Sequence, residues 1–394
     1  MKYLLRQIEQ ATKKYLSIFP VVAITGPRQS GKSTMLKKAF GEKYNYLTFD
    51  DPIIVERFVA DPKGFIEEYS DKIIFDEVQR VPELFHYLKM EVDNDRENYG
   101  KFILTGSSQF EFLKNITETL AGRIGMLTLL PFQSQEIPKK LQGRQILSGS
   151  YPELINRNYK GAREWYASYL RNYLERDVRS LANIGNMRDF QRLISLLAAR
   201  TSQPLNLSTL AKEIGISVKT VQSWISVLQA SYIIFLLPSY HHNLGKRIIK
   251  RPKLYFYDTG LVSYLTGIRD IEMLEKGPLQ GEIFETYIVS EITKAVFHND
   301  KDVLLYYFRD NLGLEVDLII EDKTHKRVDF IEIKNSHTLR PPMAKPLKSL
   351  IGRKRSQVQQ IHGSILYKGK SSGKIYENIN YLNFKQFLEN FVSR

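Results

Sequence analysis

Gly26-Pro27-Arg28-Gln29-Ser30-Gly31-Lys32-Ser33 follows the β-branched run Val21–Thr25 and leads into a helical stretch from Thr34. The spacing is G-x-x-x-x-G-K-[ST], in the strand–loop–helix context the pattern requires. Glycines at both ends let the backbone curl, so that its N–H groups and the helix N-terminus at Ser33 and Thr34 surround phosphate oxygens. Lys32 reaches the β- and γ-phosphates, and the Ser33 hydroxyl can ligate Mg²⁺. The eight loop residues and Thr34 are therefore candidate contacts for ATP, with Mg²⁺ as its companion ion.

Ile73-Ile74-Phe75-Asp76-Glu77 is an apolar run ending in two acids. Asp76 is the candidate holder of Mg²⁺ through water, and Glu77 the candidate for orienting the attacking water. Phe102–Leu104 runs into Thr105-Gly106-Ser107-Ser108, small polar groups able to sense the γ-phosphate, with Ser107 the candidate contact. Arg123 and Arg80 are candidates for neutralising charge on the transferring phosphoryl group. Arg123 is preferred, and an arginine finger implies a homo-oligomer or a closing domain.

Around these motifs, Val21–Thr25, Tyr44–Asp50, Lys72–Asp76, Lys101–Thr105 and Met126–Leu130 read as strands separated by helical or turn-rich segments. That alternation predicts an α/β domain with a largely parallel sheet. Tyr169, Tyr173, Leu193 and Leu197 recur at helical spacing within 162–199, and boundaries are expected near 155 and 275 in a chain of 394 residues. Hydrophobic residues make up 43% and charged residues 25%, so a mostly disordered or fibrous chain is excluded. No run approaches the length of a membrane span, and no apolar leader opens the chain, so a cytoplasmic protein is expected. The absence of cysteine excludes disulfides and thiolate-ligated metals. The net charge of +14 is uneven: about +2 over residues 1–150, +7 over 151–275 and +5 over 276–394. A polyanion such as DNA would meet the later regions.

Leu207–Ile214, the Gly215 turn and a cap at Ser217 predict two short helices, with Val221, Trp224, Ile225 and Leu228 of the second facing inward. Lys219, Thr220, Gln222 and Ser223 are left outward as groove or phosphate contacts. Strands at Ile233–Leu237 and Lys253–Tyr257 flank Lys246-Arg247-Ile248-Ile249-Lys250-Arg251, which completes a winged-helix pattern.

Glu315–Ile320 and Val328–Ile333 are two strand-like runs joined by a polar turn. Residues 317 and 332 are equidistant from a turn centred between 324 and 325, so Asp317 is expected opposite Glu332, with Cβ atoms roughly 4.5–5.5 Å apart. Like charges so placed need a cation, and Lys334 shares the face of Glu332. Val316, Leu318, Ile331 and Ile333 are expected to cover the other face. Glu315 would sit opposite Lys334, so a cross-strand ion pair also accounts for that lysine.

Taken together, the phosphate loop, Asp76-Glu77-Val78-Gln79, Leu104-Thr105-Gly106-Ser107-Ser108, Ala121-Gly122-Arg123, Gly149-Ser150-Tyr151-Pro152-Glu153 and Tyr173-Leu174-Glu175-Arg176-Asp177 resemble a prokaryotic family of AAA-type ATPases that carry a C-terminal domain of unknown function. The resemblance covers nearly the whole chain. Asp317 and Glu332-Ile333-Lys334 resemble the D…E-x-K core of the restriction-endonuclease-like superfamily, and Glu285 matches the helix acid of many members. The usual proline before the aspartate is replaced by Val316. That likeness implies Mg²⁺ held by Glu285, Asp317 and Glu332, with Lys334 steadying water or the developing charge on phosphate.

The fold expected is thus a P-loop AAA-type ATPase domain over residues 1–155, a helical and winged-helix region over 156–275, and an α/β restriction-endonuclease-like domain over 276–394. The expected activity is ATP hydrolysis coupled to engagement of DNA and its Mg²⁺-dependent cleavage. The alternative is an ATP-gated switch or scaffold for a protein partner that cuts nothing.

Overall fold

The computed structural model describes residues 3–106, 119–174, 186–240, 251–354 and 360–393. Its N-terminal part is a five-stranded sheet of β1 (Val21–Thr25), β2 (Asn45–Thr48), β3 (Ile73–Asp76), β4 (Phe102–Thr105) and β5 (Ile124–Thr128) in the order β2-β3-β4-β1-β5. All pairs are parallel. Burial on both faces explains why β1 reads as an unbroken apolar run: Val21 and Ala23 pack with Phe75, Phe85 and Leu104 on one face. Val22 and Ile24 pack with Met35 and Leu36 on the other, under the helix Lys32–Phe40. The chain reverses its direction of winding at β1, so the crevice at that strand's carboxyl end is where such sheets bind ligands.

The middle region holds helices Met187–Ala198, Leu207–Ile214 and Val218–Ala230, then antiparallel strands β6 (Ile234–Leu237) and β7 (Lys253–Phe256). Asn206 and Ser217 cap the second and third helices, accepting from the N–H groups of Thr209 and Thr220. Gly215 takes the left-handed conformation between them, and Val221, Trp224, Ile225 and Leu228 are buried. Of the basic stretch, 246–250 lie outside the described residues. Residues 162–199 are helical over Ala162–Tyr169, a wider turn Leu170–Leu174 and Met187–Ala198, with 175–185 outside the described residues.

The hairpin of β6 and β7 is shared by two cores. Ile234, Leu254 and Phe256 join the middle cluster, while the alternate residues Phe235, Leu237 and Tyr255 join the core of the C-terminal sheet. No clean division therefore separates the middle region from that sheet.

The C-terminal part is a six-stranded mixed sheet in the order β12-β13-β11-β10-β9-β8. Its strands are β8 (Val303–Arg309), β9 (Glu315–Asp322), β10 (Arg327–Lys334), β11 (Gln360–Tyr367), β12 (Gly373–Tyr376) and β13 (Ile379–Asn383). Ile288 and Ile292 of the helix Gln280–His298 cover one face, and Leu347 and Leu350 of the helix Lys345–Lys354 the other. β9 and β10 pair from Asp322 with Arg327 to Leu318 with Ile331, the register counted from the turn. Against β8, however, β9 carries one extra residue between the pairs Ile319–Tyr306 and Val316–Phe308. That bulge corrects one expectation: Val316 packs with Ile319 and Phe330, on the face opposite Leu318 and Ile331. Bulges re-aim side chains, and this one lies at Asp317.

Candidate functional site

The phosphate loop leaves the carboxyl end of β1. Gly26 has φ +141°, and a Cβ there would stand 2.1 Å from the Leu129 carbonyl oxygen, so only glycine fits. Gly31, also left-handed, precedes the helix Lys32–Phe40. The Lys32 ammonium folds back onto the loop, donating to the carbonyls of Gly26 and Pro27 at 2.9 Å each. Arg28 and Ser33 are half-buried and Gln29 and Thr34 exposed along its rim, while the Ser30 hydroxyl is buried without a partner. Beside the loop lies a cavity of about 290 Å³ walled by Tyr3, Leu4, Gln29, Thr34, Phe132 and Pro152, which suits a flat base in size and lining.

Asp76 ends β3, which β4 alone separates from β1, and its carboxylate accepts a hydrogen bond from the Tyr46 hydroxyl. The hydroxyls of Ser33 and Thr48 lie beside the same phenol. Tyr46 thus stands between the two groups read as Mg²⁺ holders, and burial together with the Asp76 bond raises its hydroxyl above the usual range. The oxygen set of Ser33 and Asp76 fits a hard cation. Glu77 is left-handed at φ +57°, and its carboxylate accepts from the Gln79 side chain. The Thr105 hydroxyl at the end of β4 is buried and unpartnered. Ser107 lies outside the described residues.

Arg123 occupies the other end of the sheet, just before β5 where Ile124 pairs with Val21, the residue farthest from the loop on β1. Its guanidinium grips Asp93 at 2.7 and 3.0 Å. It therefore cannot reach the phosphate loop of its own chain. Arg80, in the short turn after Glu77, pairs with Asp50 at 2.5 Å on the phosphate edge.

A second cluster lies at the end of the β9–β10 hairpin. Asp317 accepts from the Ile333 N–H at 2.7 Å, and Lys334 stands 2.5 Å from Glu332 and 3.7 Å from Asp317. Glu285 joins them from the helix Gln280–His298 through Lys253, whose place in the sequence marks it only as a strand residue. The buried ammonium of Lys253 on β7 contacts Glu315 at 2.5 Å, Glu285 at 3.0 Å and Asp317 at 4.0 Å. Tyr255, two residues along the same strand face, donates to Glu285 at 2.6 Å. Glu315 thus takes Lys253 and Arg309 as its cations, while Lys334 turns to Glu332 and Asp317.

Burial and the charge of Asp317 push the carboxyls of Glu285 and Glu332 upward, with Lys253 and Lys334 respectively pulling back. Burial alone would lower the two lysines, yet the surrounding carboxylates hold both above the usual range. Glu332 is 2% exposed, and its Oε1 has no partner. That orphan oxygen beside Asp317 fits a hard divalent cation in donor chemistry, with Asp317, Glu332 and Glu285 the residues that would hold it. Among the described residues, however, no three acidic or histidine side chains already stand together in a metal-holding arrangement.

Residues that no motif marks also join the two ends of the molecule. Arg6 is buried and donates to the Ser30 carbonyl of the loop at 2.8 Å, to the Leu130 carbonyl at 2.7 Å and to Glu136 at 3.1 Å. Leu130 N–H in turn donates to His298 at 3.0 Å, at the end of the helix that carries Glu285. Thr25, the residue before the loop, shares a 2.7 Å hydrogen bond with Tyr232 at the head of the β6–β7 hairpin. Nothing local sets Lys253 apart from the basic run 246–251 just before it, and nothing local marks Arg6 or Tyr232.

A parallel sheet carrying this loop, with the acid pair two strands away, defines an AAA-type P-loop ATPase, and residues 19–138 match the family model of an AAA domain. Residues 139–272 and 280–387 match two domains of unknown function, DUF8612 and DUF4143. The uncharacterized proteins Rv2008c of Mycobacterium tuberculosis and Mb2031c of Mycobacterium bovis are each 30% identical over 335 residues, 84% of this chain and 74% of theirs. The chain belongs to the family of these two proteins. Among solved structures, the Walker-type ATPase PABY2304 of Pyrococcus abyssi aligns over 66% of this chain and 94% of its own, at 14% identity and a TM-score of 0.46. No helix among the described residues is long and apolar enough to cross a membrane.

Proposed function

We propose that the protein binds and hydrolyses ATP and uses it to control engagement of DNA by the middle and C-terminal regions, with Mg²⁺-dependent cleavage at Asp317, Glu332 and Lys334. In the ATPase, Lys32 turns from its own loop carbonyls to the β- and γ-phosphates, Ser33 and Asp76 hold Mg²⁺, and Glu77 orients water for in-line attack. The base enters the cavity between Tyr3 and Phe132. For DNA, the surplus of positive charge after residue 150 and the exposed Lys219, Gln222 and Ser223 of a winged-helix-like module supply phosphate and groove contacts.

The observation that carries the nuclease reading is the buried, unpartnered Glu332 oxygen in a hairpin that also aligns Asp317 and Lys334. A divalent cation held by Glu285, Asp317 and Glu332 would polarise the scissile phosphate, and Lys334 is the residue to steady a phosphate oxygen or the attacking water. An assay on single-stranded, duplex and branched DNA, with and without ATP and Mg²⁺ or Mn²⁺, tests it. Cleavage lost in Asp317→Asn and Lys334→Ala is expected. No cleavage of any form overturns it.

The second reading, an ATP-gated scaffold with a nuclease-like domain that cuts nothing, is favoured by one observation. The Lys253 ammonium already pairs with Glu285 and approaches Asp317, two of the acids a metal would need. DNA binding that is absent or insensitive to salt would favour this reading.

A further inference from the structure

We propose that Lys253 is a tethered cation that occupies the acidic cluster of the C-terminal sheet, and that a divalent metal binds there only when the β6–β7 hairpin withdraws it. The inference rests on reading Glu285, Asp317 and Glu332 as metal ligands and adds how their access is controlled.

Three observations converge. First, Lys253 is 1% exposed, and its ammonium touches Glu285 and Glu315 and approaches Asp317, so it spans carboxylates from a helix and from β9. A cation in that position attracts the same oxygens as a metal and repels the metal itself. Second, the acids outnumber what Lys253 satisfies. Glu332 keeps one buried oxygen without a partner while its other oxygen holds Lys334, so the cluster retains an acceptor for a further positive ligand. Third, Lys253 does not belong to the sheet it plugs. It stands on β7 opposite Leu237, while the other end of the hairpin, at Tyr232, is hydrogen-bonded to Thr25 immediately before the phosphate loop. One short two-stranded element therefore touches the nucleotide loop at one end and the carboxylates at the other.

Lysine suits this role because it holds the carboxylates through a single ammonium, so a withdrawal of its strand breaks all of these contacts together. Its hydrogen-bond partners are left as oxygens alone, the ligand type a hard cation takes.

The test is Mn²⁺ binding to the full-length chain, followed by electron paramagnetic resonance without nucleotide, so that the phosphate-loop site lacks the phosphates it would need to hold the ion. Lys253→Met and Lys253→Gln are each expected to bind one Mn²⁺ about tenfold or more tighter than wild type, because the ammonium's repulsion is gone. Adding Asp317→Asn to either should abolish that gain. If wild type binds one Mn²⁺ that Asp317→Asn removes, and neither Lys253 variant binds it tighter, the gate is overturned and the metal site stands. If no folded form binds Mn²⁺, the metal reading itself falls, and the gate with it. Should both variants fail to fold, amide hydrogen exchange of the wild-type chain decides. Exchange across 253–256 should rise at Mn²⁺ concentrations that fill the site, and unchanged exchange overturns the gate.

Discussion

The guanidinium of Arg6 donates a 2.8 Å hydrogen bond to the backbone carbonyl of Ser30, fixing the middle of the phosphate loop from outside the sheet. The same group is the counter-ion of buried Glu136. Replacing it by methionine keeps the bulk but strands that carboxylate. Arg6→Met should therefore cost about 3–5 kcal/mol, the range for breaking a buried pair from one side. Chemical denaturation measures it; a loss below about 1 kcal/mol, typical of an exposed pair, would show that Glu136 is satisfied without Arg6.

The nucleotide residues should separate by step. Lys32→Ala should weaken ATP binding, because the ammonium that now rests on the Gly26 and Pro27 carbonyls is the group proposed to turn to the phosphate oxygens. Glu77→Gln should leave binding near wild type and suppress turnover, because in the proposed mechanism the carboxylate acts on water and not on the nucleotide. Fluorescent-nucleotide titration and steady-state phosphate release distinguish the two, and wild-type turnover in Glu77→Gln would remove Glu77 from its role.

The two arginines give another contrast. Arg123 is held by the solvent-exposed Asp93 at the far end of the sheet, so within one chain Arg123→Ala should change stability little and leave turnover unchanged in dilute protein. Arg80→Ala, on the phosphate edge, should lower turnover. A loss in Arg123→Ala that grows with protein concentration would instead identify a finger supplied to a neighbouring copy.

Acid sensitivity should report on His298. Burial lowers its imidazole from 6.5 to about 3, against the pull of Glu136, with Arg6 and Lys294 adding to the depression. A group with a depressed folded value stabilises the fold above its unfolded value, and that contribution is lost as pH falls from 6.5 toward about 3. The raised carboxyls of Glu285 and Glu332 act in the opposite sense, favouring the fold at low pH and losing that contribution as pH rises. The difference between wild type and His298→Gln isolates the imidazole. Denaturation midpoints across that range should show a shallower acid limb in the variant, and parallel profiles would contradict a neutral buried ring.

In DNA binding, log affinity should fall steeply with log salt if the later regions contact phosphates. Fluorescence anisotropy at several salt concentrations measures the slope, and a flat response would point to a protein partner.

Much of this architecture is legible in local pattern. The phosphate loop has fixed spacing, the apolar run before Gly26 bounds β1 at Val21–Thr25, and the register of β9 with β10 comes from the symmetry of their turn. Less is readable where the structure depends on distant partners. The bulge at Asp317 arises from pairing with β8, and β11 to β13 carry Gly363, Gly373 and Asn380, which blur the alternation. Lys253 and Tyr46 read as ordinary strand residues because their meaning lies in carboxylates remote in sequence, 285, 315 and 317 for one and 76 for the other. The phosphate loop and the Asp317, Glu332 and Lys334 set are therefore visible in the sequence, while Tyr46 on Asp76 and Lys253 on the second cluster are not.

The shared hairpin makes residue 275 a poor place to cut the chain. A fragment beginning there would lose Lys253 and Tyr255 and leave Glu285, Glu315, Asp317 and Glu332 with Lys334 and Arg309 as their remaining cations among the described residues. It would also bare the apolar surface that Phe235, Leu237 and Tyr255 cover. Like charge and open grease at one seam predict an insoluble piece, so a useful dissection of the chain keeps the hairpin with the sheet it serves.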